Sequence, residues 1–292
     1  MNGYMGKVLH VDLSTGRLWD EPLKEELARA FVGGSGLAAR IIYDMVREDT
    51  DPLGPQNPLV FMTGPLVGTA MPSAGRYSVC ALSPLTRIWG EANSGGFFGP
   101  ELRFAGYDGV VMTGCSSRPV WLSIVEGNPL LHDASNLWGS DSYATQQMVR
   151  QALGDQKARV ACIGVGGENK VKMAAVMNDH GRAAGRTGMG AVMGSKRLKA
   201  IGVRGSAKVP VADPERFKTL VRDIIVDLED AILPRALRLA GTAGTLDSLY
   251  MYGDMPIRYY QEGDWEEATN LSGIVMADQY QNRIYACYRC PI

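Results

Sequence analysis

Two cysteines three positions apart, Cys287-Tyr-Arg-Cys290-Pro291, are the residues whose spacing most directly suggests chemistry. Two such thiolates can bite one metal ion or one cluster, with the proline shielding the turn. A lone C-x-x-C is compatible with half a zinc site, a redox dithiol or part of an iron–sulfur site. Zinc requires a second ligand pair at suitable spacing, and none is present. A thioredoxin-like dithiol belongs between a strand and a helix, and a cubane cluster needs about four thiolates, of which this pair supplies two.

Two Gly/Arg-rich loop systems come next. The first runs from Thr63-Gly64-Pro65 through Gly75-Arg76-Tyr77 to Asn93-Ser94-Gly95-Gly96-Phe97-Phe98-Gly99. Gly95 and Gly96 precede a helix candidate containing Glu101 and Leu102, so amides there can meet an anion at the positive helix end. Arg76 offers a planar fork of donors suited to phosphate or a heterocycle edge; a tight turn and a surface ion pair would explain the same residues. The second system is Asn178 to Lys196, with Arg182-Ala183-Ala184-Gly185-Arg186 at its centre. Repeated glycine costs backbone entropy that special geometry or close approach to a ligand must offset. Neither a Walker A loop nor a dinucleotide fingerprint is present, and Gly164-Val165-Gly166-Gly167 lacks the G-x-G-x-x-G spacing.

The remaining reactive residues point elsewhere. Cys80, Cys115 and Cys162 lie in or beside apolar runs, where a free cysteine behaves as a small core hydrophobe. His10, His132 and His180 are scattered too widely to suggest a metal triad. With 30 basic and 31 acidic residues, no global field favours nucleic acid or an anionic membrane, and Lys196-Arg197-Leu198-Lys199 reads as a solvated loop or a helix C-terminus. No apolar run approaches the roughly 20 residues of a membrane span, and the first residues lack signal-peptide regions, so a cytoplasmic protein is expected.

The elements that must position these loops are short. Apolar runs predict strands at Lys7 to Leu13, Leu59 to Met62, Arg76 to Leu82, Gly109 to Met112, Val120 to Val125, Arg159 to Ile163 and Ala200 to Val203. Helical periodicity marks Leu23 to Val32, Gly36 to Val46 and Ser142 to Leu153. Asp213-Pro214 supplies an N-cap and first-turn proline, and Phe217, Leu220, Val221, Ile224, Ile225 and Leu228 fall on one face of the helix that follows. An α+β region followed by a helical one from near residue 210 is the expectation. Ala74-Gly75-Arg76-Tyr77-Ser78-Val79 echoes Ala184-Gly185-Arg186-Thr187-Gly188-Met189, suggesting two related halves that make one site.

Taken in order, Thr63-Gly-Pro-Leu-Val-Gly-Thr69, Gly75-Arg-Tyr77, Asn93-Ser-Gly-Gly96, Phe104-Ala-Gly-Tyr-Asp108, Gly167-Glu-Asn169, Arg182-Ala-Ala-Gly-Arg186, Gly190-Ala-Val-Met-Gly-Ser-Lys196 and Cys287-x-x-Cys-Pro-Ile292 resemble the aldehyde ferredoxin oxidoreductase family over nearly the whole chain. The resemblance implies an α+β N-terminal domain of two β-sheets related by duplication, with flanking helices, over 1–207. The start of an all-α domain follows over 208–292 and ends inside the iron–sulfur motif. It implies a bis-molybdopterin tungsten cofactor, or molybdenum in its place, held by Arg76, Asn93, Ser94, Gly95, Gly96, Arg182, Ala183, Ala184 and Gly185. Backbone carbonyls of Asn93 and Ala183 would face a magnesium ion between the pterin phosphates. Cys287 and Cys290 would be two ligands of a 4Fe-4S cluster, the third falling past Ile292 together with the catalytic residues. The implied reaction oxidises a small aldehyde to a carboxylic acid, with electrons passing through the cluster to ferredoxin or another electron-transfer protein, in a homodimer or hetero-complex. Carboxylate or aromatic-ring reduction on the same scaffold, or a catalytically incomplete cofactor-binding base, are the alternatives.

Overall fold

The computed structural model describes residues Met1–Ile292. Twelve strands form two sheets. The first contains β1 (Lys7–Asp12), β2 (Arg17–Pro22), β3 (Leu59–Thr63), β4 (Tyr77–Leu82), β5 (Trp89–Ser94) and β6 (Gly109–Thr113), in the order β2-β1-β6-β3-β4-β5. The second contains β7 (Val120–Val125), β8 (Asn128–Asp133), β9 (Arg159–Cys162), β10 (Val176–Asn178), β11 (Arg182–Ala184) and β12 (Leu198–Arg204), in the order β11-β10-β9-β12-β7-β8. Adding six to each strand of the first sheet reproduces the second. The one parallel pairing also corresponds: β1 with β6, and β7 with β12. The two sheets are therefore equivalent in topology, as expected of a duplication.

The sequence echo is not what aligns them. Ala74–Val79 runs into β4, whereas Ala184–Met189 leaves β11, whose counterpart is β5. The true equivalents are the turns after β5 and β11, because strand pairing rather than a shared Gly-Arg dipeptide sets the register.

Helices α1 (Glu25–Phe31) and α2 (Ser35–Met45) cover the outer face of the first sheet, and α4 (Ser142–Leu153) covers that of the second. α3 (Phe98–Phe104) leads into β6 as α6 (Met189–Ser195) leads into β12, with the single turn α5 (Val165–Glu168) packed on α6. Strand alternation builds the layers. Leu59 and Phe61 of β3 enter a 28-residue core shared by both sheets, while Val60 and Met62 face Leu37, Ala38 and Ile42 of α2. Each such large side chain contributes about 1.5–3 kcal/mol on burial.

The apolar-run strands all form, and Val120–Val125 and Ser142–Leu153 coincide with the expected bounds. The strands that periodicity did not mark are β2, β5, β8, β10 and β11. Most carry exposed or half-exposed residues or span only three positions, so no apolar run announces them. The basic stretch after α6 needs correction. It begins at the C-cap of α6 and runs into β12, and Lys196 and Lys199 are both fully buried, their ammonium groups donating to backbone carbonyls and, for Lys199, to Glu168.

No strand follows β12. Asp213 accepts from the Arg216 amide at 3.0 Å and Pro214 occupies the first turn of α7 (Pro214–Asp230). α8 (Ile232–Ala240), α9 (Leu246–Met251) and α10 (Gly273–Tyr280) complete the chain. No helix is long and apolar enough to cross a membrane.

Candidate functional site

The edge strands β5 and β11 run beside each other, with the turn after β5 against Asn178 and Asp179 at the head of β11 and Thr187, after β11, against Gly90 at the head of β5. Asn93 and Ala183 are each second-to-last in their strand, and both are exposed. Their neighbours Ser94 and Ala184 alternate inward: the Ser94 hydroxyl donates to Asn178 Oδ1 at 2.7 Å and Ala184 joins the shared core. Only the backbones of Ser94 and Ala184 can therefore serve a ligand, whereas Asn93, Ala183 and Gly185 are open to one.

Arg76, one residue before β4, is exposed and makes no ion pair. Arg182 opens β11, half-buried; its Nη2 donates to the Tyr285 carbonyl at 2.7 Å, and its buried Nε has no partner. The buried Thr187 hydroxyl is likewise unpartnered. Arg76 and Asn93 line a cleft of about 410 Å3 with Gly33, Gly34, Ser35 and Gly64. Ser35 begins the eleven-residue α2, so the positive end of that helix faces the cleft. Glu91 accepts from Ser35 Oγ at 2.9 Å and from Asn93 Nδ2 at 2.5 Å, which orients both.

The anion site expected at Gly95 and Gly96 is taken from within. The first amides of α3, Phe97 and Phe98, donate to the buried carboxylate of Asp179 at 2.6 and 3.2 Å. Gly96 has a φ of +86°, and a Cβ there would strike the same carboxylate.

The cysteine pair folds onto these glycines. The Cys290 amide donates to the Cys287 carbonyl at 3.1 Å, closing the turn, and the Tyr288 amide donates to the Gly96 carbonyl at 3.1 Å. Ser73 donates its amide to the Arg289 carbonyl at 3.0 Å and its hydroxyl lies 3.8 Å from Cys290 Sγ. A Cβ on Gly95 would lie 2.9 Å from Cys287 Sγ, and one on Gly75 3.0 Å from Tyr288 Cβ. Part of the glycine content thus serves approach of the cysteine turn.

The other candidates lie apart. Cys80 and Cys162 sit in the two outer cores, where burial raises both thiol pKa values, that of Cys162 to about 12. Cys115 departs from the core expectation: it is half-exposed in the β6–β7 connection, with Sγ 3.2 Å from the Ser195 carbonyl. His10 stacks on Trp19 and His132 on Trp121, while His180 lies near Tyr143. Burial lowers the pKa of both His10 and His132. No group of three or more His, Cys, Asp or Glu side chains could hold a metal ion.

Residues 33–35, Glu91 and Arg159 lie at the candidate site and were not singled out by sequence, whereas Asn178 and Asp179 opened the second loop system without a role of their own. Gly33-Gly34-Ser35 carried a usable signal, a glycine pair opening a helix like Gly95-Gly96. Nothing in sequence indicates that Asp179 points inward. An unpaired Arg76, an orphaned buried donor on Arg182, the exposed strand-end residues Asn93 and Ala183 and a helix N-terminus together suit a polyanionic group bearing phosphates.

The family profile described as aldehyde ferredoxin oxidoreductase, N-terminal domain, matches residues 8–205, and the one for domains 2 and 3 matches 220–292. The chain is 44% identical over its whole length to the tungsten-containing aldehyde ferredoxin oxidoreductase of Thermococcus kodakarensis and 43% to that of Pyrococcus furiosus, covering 48% of each. It is 32% identical to the WOR-like subunit of an aliphatic sulfonate oxidoreductase of Pyrococcus furiosus, covering 49% of it. The active site complex BamBC of benzoyl coenzyme A reductase, solved with 1,5-dienoyl-CoA, superposes with a TM-score of 0.87 at 31% identity, over the whole of this chain and 46% of that one. The chain spans about half the length of the curated relatives it matches.

Proposed function

Since the chain belongs to the aldehyde ferredoxin oxidoreductase family, we propose that it is the cofactor-bearing base of a tungsten-pterin enzyme that oxidises small aldehydes to carboxylic acids. The observation that carries this is the meeting of two equivalent edge strands, β5 and β11, with a C-x-x-C turn folded against the glycines that follow β5.

In this proposal the division into a cofactor domain and a helical domain falls near residue 207. Arg76 and Arg182 offer guanidinium donors to pterin or phosphate oxygens, the free Nε of Arg182 being one of them. The exposed Asn93 and Ala183 would hold a magnesium ion through their backbone carbonyls, and Gly95, Gly96 and Gly185, with the backbones of Ser94 and Ala184, would admit the cofactor closely. Cys287 and Cys290 hold one side of a 4Fe-4S cluster. Cys80, Cys115 and Cys162 lie elsewhere, so the cluster needs two thiolates from outside residues 1–292. When bound, a tungsten or molybdenum bis-pterin supplies two-electron redox chemistry and a cluster supplies one-electron relay. Ferredoxin or another soluble carrier is the proposed acceptor, in the cytoplasm, and catalytic acid–base groups are proposed to lie beyond this base.

Aromatic-ring or carboxylate reduction on the same base is the second reading. The likeness to the benzoyl coenzyme A reductase complex favours it, and the higher identity to aldehyde oxidoreductases places it behind.

The test is metal and pterin analysis of anaerobically purified full-length protein, followed by aldehyde-dependent reduction of a viologen dye. Pterin with tungsten or molybdenum, iron near four per chain and aldehyde-dependent turnover are expected. Absence of pterin and of both metals would refute the proposal, and turnover with aromatic thioesters alone would favour the second reading.

A further inference from the structure

Asp179 is a carboxylate that the proposed chemistry does not use. It is 1% exposed and sits in the turn after β10 at a φ of +44°. Its Oδ2 accepts from the amides of Phe97 and Phe98 at 2.6 and 3.2 Å and from Asn178 Nδ2 at 2.9 Å, and its Oδ1 accepts from Arg159 Nη1 at 3.1 Å. A charge from the second half thus meets the positive end of α3 in the first half.

Asn178 extends the link. Fully buried, it donates to the Gly95 carbonyl at 3.0 Å and accepts from Tyr77 Oη and Ser94 Oγ at 3.0 and 2.7 Å. Burial first, and Asp179's charge second, raise the Tyr77 pKa, so its phenol stays a donor. Every residue from Ser94 to Phe98 except Gly96 is bonded to Asn178 or Asp179, and Gly96 packs against the Asp179 carboxylate.

The other face of that segment meets the cysteines. Gly96 accepts from the Tyr288 amide, Gly95 lies against Cys287 Sγ, and the Phe97 ring contacts Tyr285 and Tyr288 at 6.1 and 6.4 Å between centroids. Arg159, the charge partner of Asp179, stacks on Phe97 at 4.5 Å.

We propose that Asp179, with Asn178 and Arg159, is a positioning latch across the two halves that fixes the Gly95–Gly96 segment and so holds the cofactor cradle and the Cys287–Cys290 turn in one relation. The proposal rests on the function above for what is held, not for the latch itself. Asp179→Asn keeps the size of the side chain but removes the ion pair and turns an amide donor toward other donors. Outer-shell partners of this kind are worth about tenfold or more in metal-group affinity when lost.

The experiment compares full-length wild type, Asp179→Asn, the milder Arg159→Gln and, as control, Asp108→Asn, which breaks an ion pair of an equally buried carboxylate with Arg103 inside the first half. Pterin and iron are measured per folded protein after gel filtration, with folding scored by circular dichroism. The spectrum of the dithionite-reduced cluster is recorded by electron paramagnetic resonance. Expected are about tenfold less pterin in Asp179→Asn, a smaller loss in Arg159→Gln, an altered cluster spectrum in both, and wild-type content and spectrum in Asp108→Asn. If Asp179→Asn does not fold, Arg159→Gln decides. Wild-type pterin and spectra in the folded Asp179 and Arg159 variants, or equal losses in Asp108→Asn, would overturn the latch. A wild-type protein without pterin would instead overturn the proposed function.

Discussion

Arg76 and Arg182 bear the most testable residue-level expectations. Arg76 has no ion pair to lose, so Arg76→Ala should leave the melting temperature within about 1 °C while reducing pterin content, since unpaired surface side chains contribute within about 0.5 kcal/mol to stability. Arg182→Ala also removes the bond to the Tyr285 carbonyl and should loosen the approach to Cys287 as well. Full pterin retention in both would remove these arginines from the site. Lys196 offers a pH test. Burial, opposed by nearby Cys115, pushes its pKa down to about 8 from 10.5. Between those values the unfolded chain holds the proton and the folded one releases it, so this group makes stability rise with pH over that window. Below it the burial penalty is fully present. Urea unfolding from pH 7.5 to 10.5 should show that rise in wild type relative to Lys196→Met; parallel curves would show that Lys196 does not titrate there.

Elements add their own expectations. The Asp213 side chain caps α7, and Asp213→Ala should lower stability by about 1 kcal/mol, read from hydrogen exchange in residues 214–221. The α6 helix packs closer than a side chain allows. A Cβ on Gly190 would lie 2.5 Å from the Ala175 carbonyl oxygen, and one on Gly194 would strike Gly167. Gly190→Ala should therefore cost about 1–3 kcal/mol by overpacking, measured by chemical denaturation. An unchanged midpoint would mean that the chain shifts freely there. Glycine in this stretch consequently has two reasons, helix packing after residue 188 and open backbone before it, which composition alone could not separate.

For the whole molecule, the 28-residue core draws from both sheets, so neither half has a complete interior. Residues 1–205 should unfold in one transition, with the fluorescence of Trp19 in the first sheet and Trp121 in the second, each isolated in a single-tryptophan variant, losing native intensity together. Separate midpoints would show two independently stable halves. The helices beyond residue 213 leave Ile232, Leu233, Leu239 and Met251 exposed, and their amides should exchange faster than those of β3, β6 and β12.

What sequence alone determined follows from local rules. Runs such as Leu59–Met62 and Val120–Val125 are apolar at every or nearly every position and had to be buried strands, Asp213-Pro214 had to start a helix, and the Gly/Arg loops with Cys287-x-x-Cys290 carried the family resemblance. Edge strands were illegible because β5 and β11 owe their form to pairing with the neighbouring strands β4 and β10, not to their own apolarity. Only tertiary structure decided that Asn93 and Ala183 occupy equivalent strand ends, that Ser94 and Ala184 turn inward, and that Lys196 and Lys199 are buried. It also decided that the positive end of α3 is answered by Asp179 from the other half rather than left open for a ligand. The physical reason is the same in each case: a charge or a turn acquires its role from what packs against it, and the partners of these charges lie from 31 to 141 residues away in sequence.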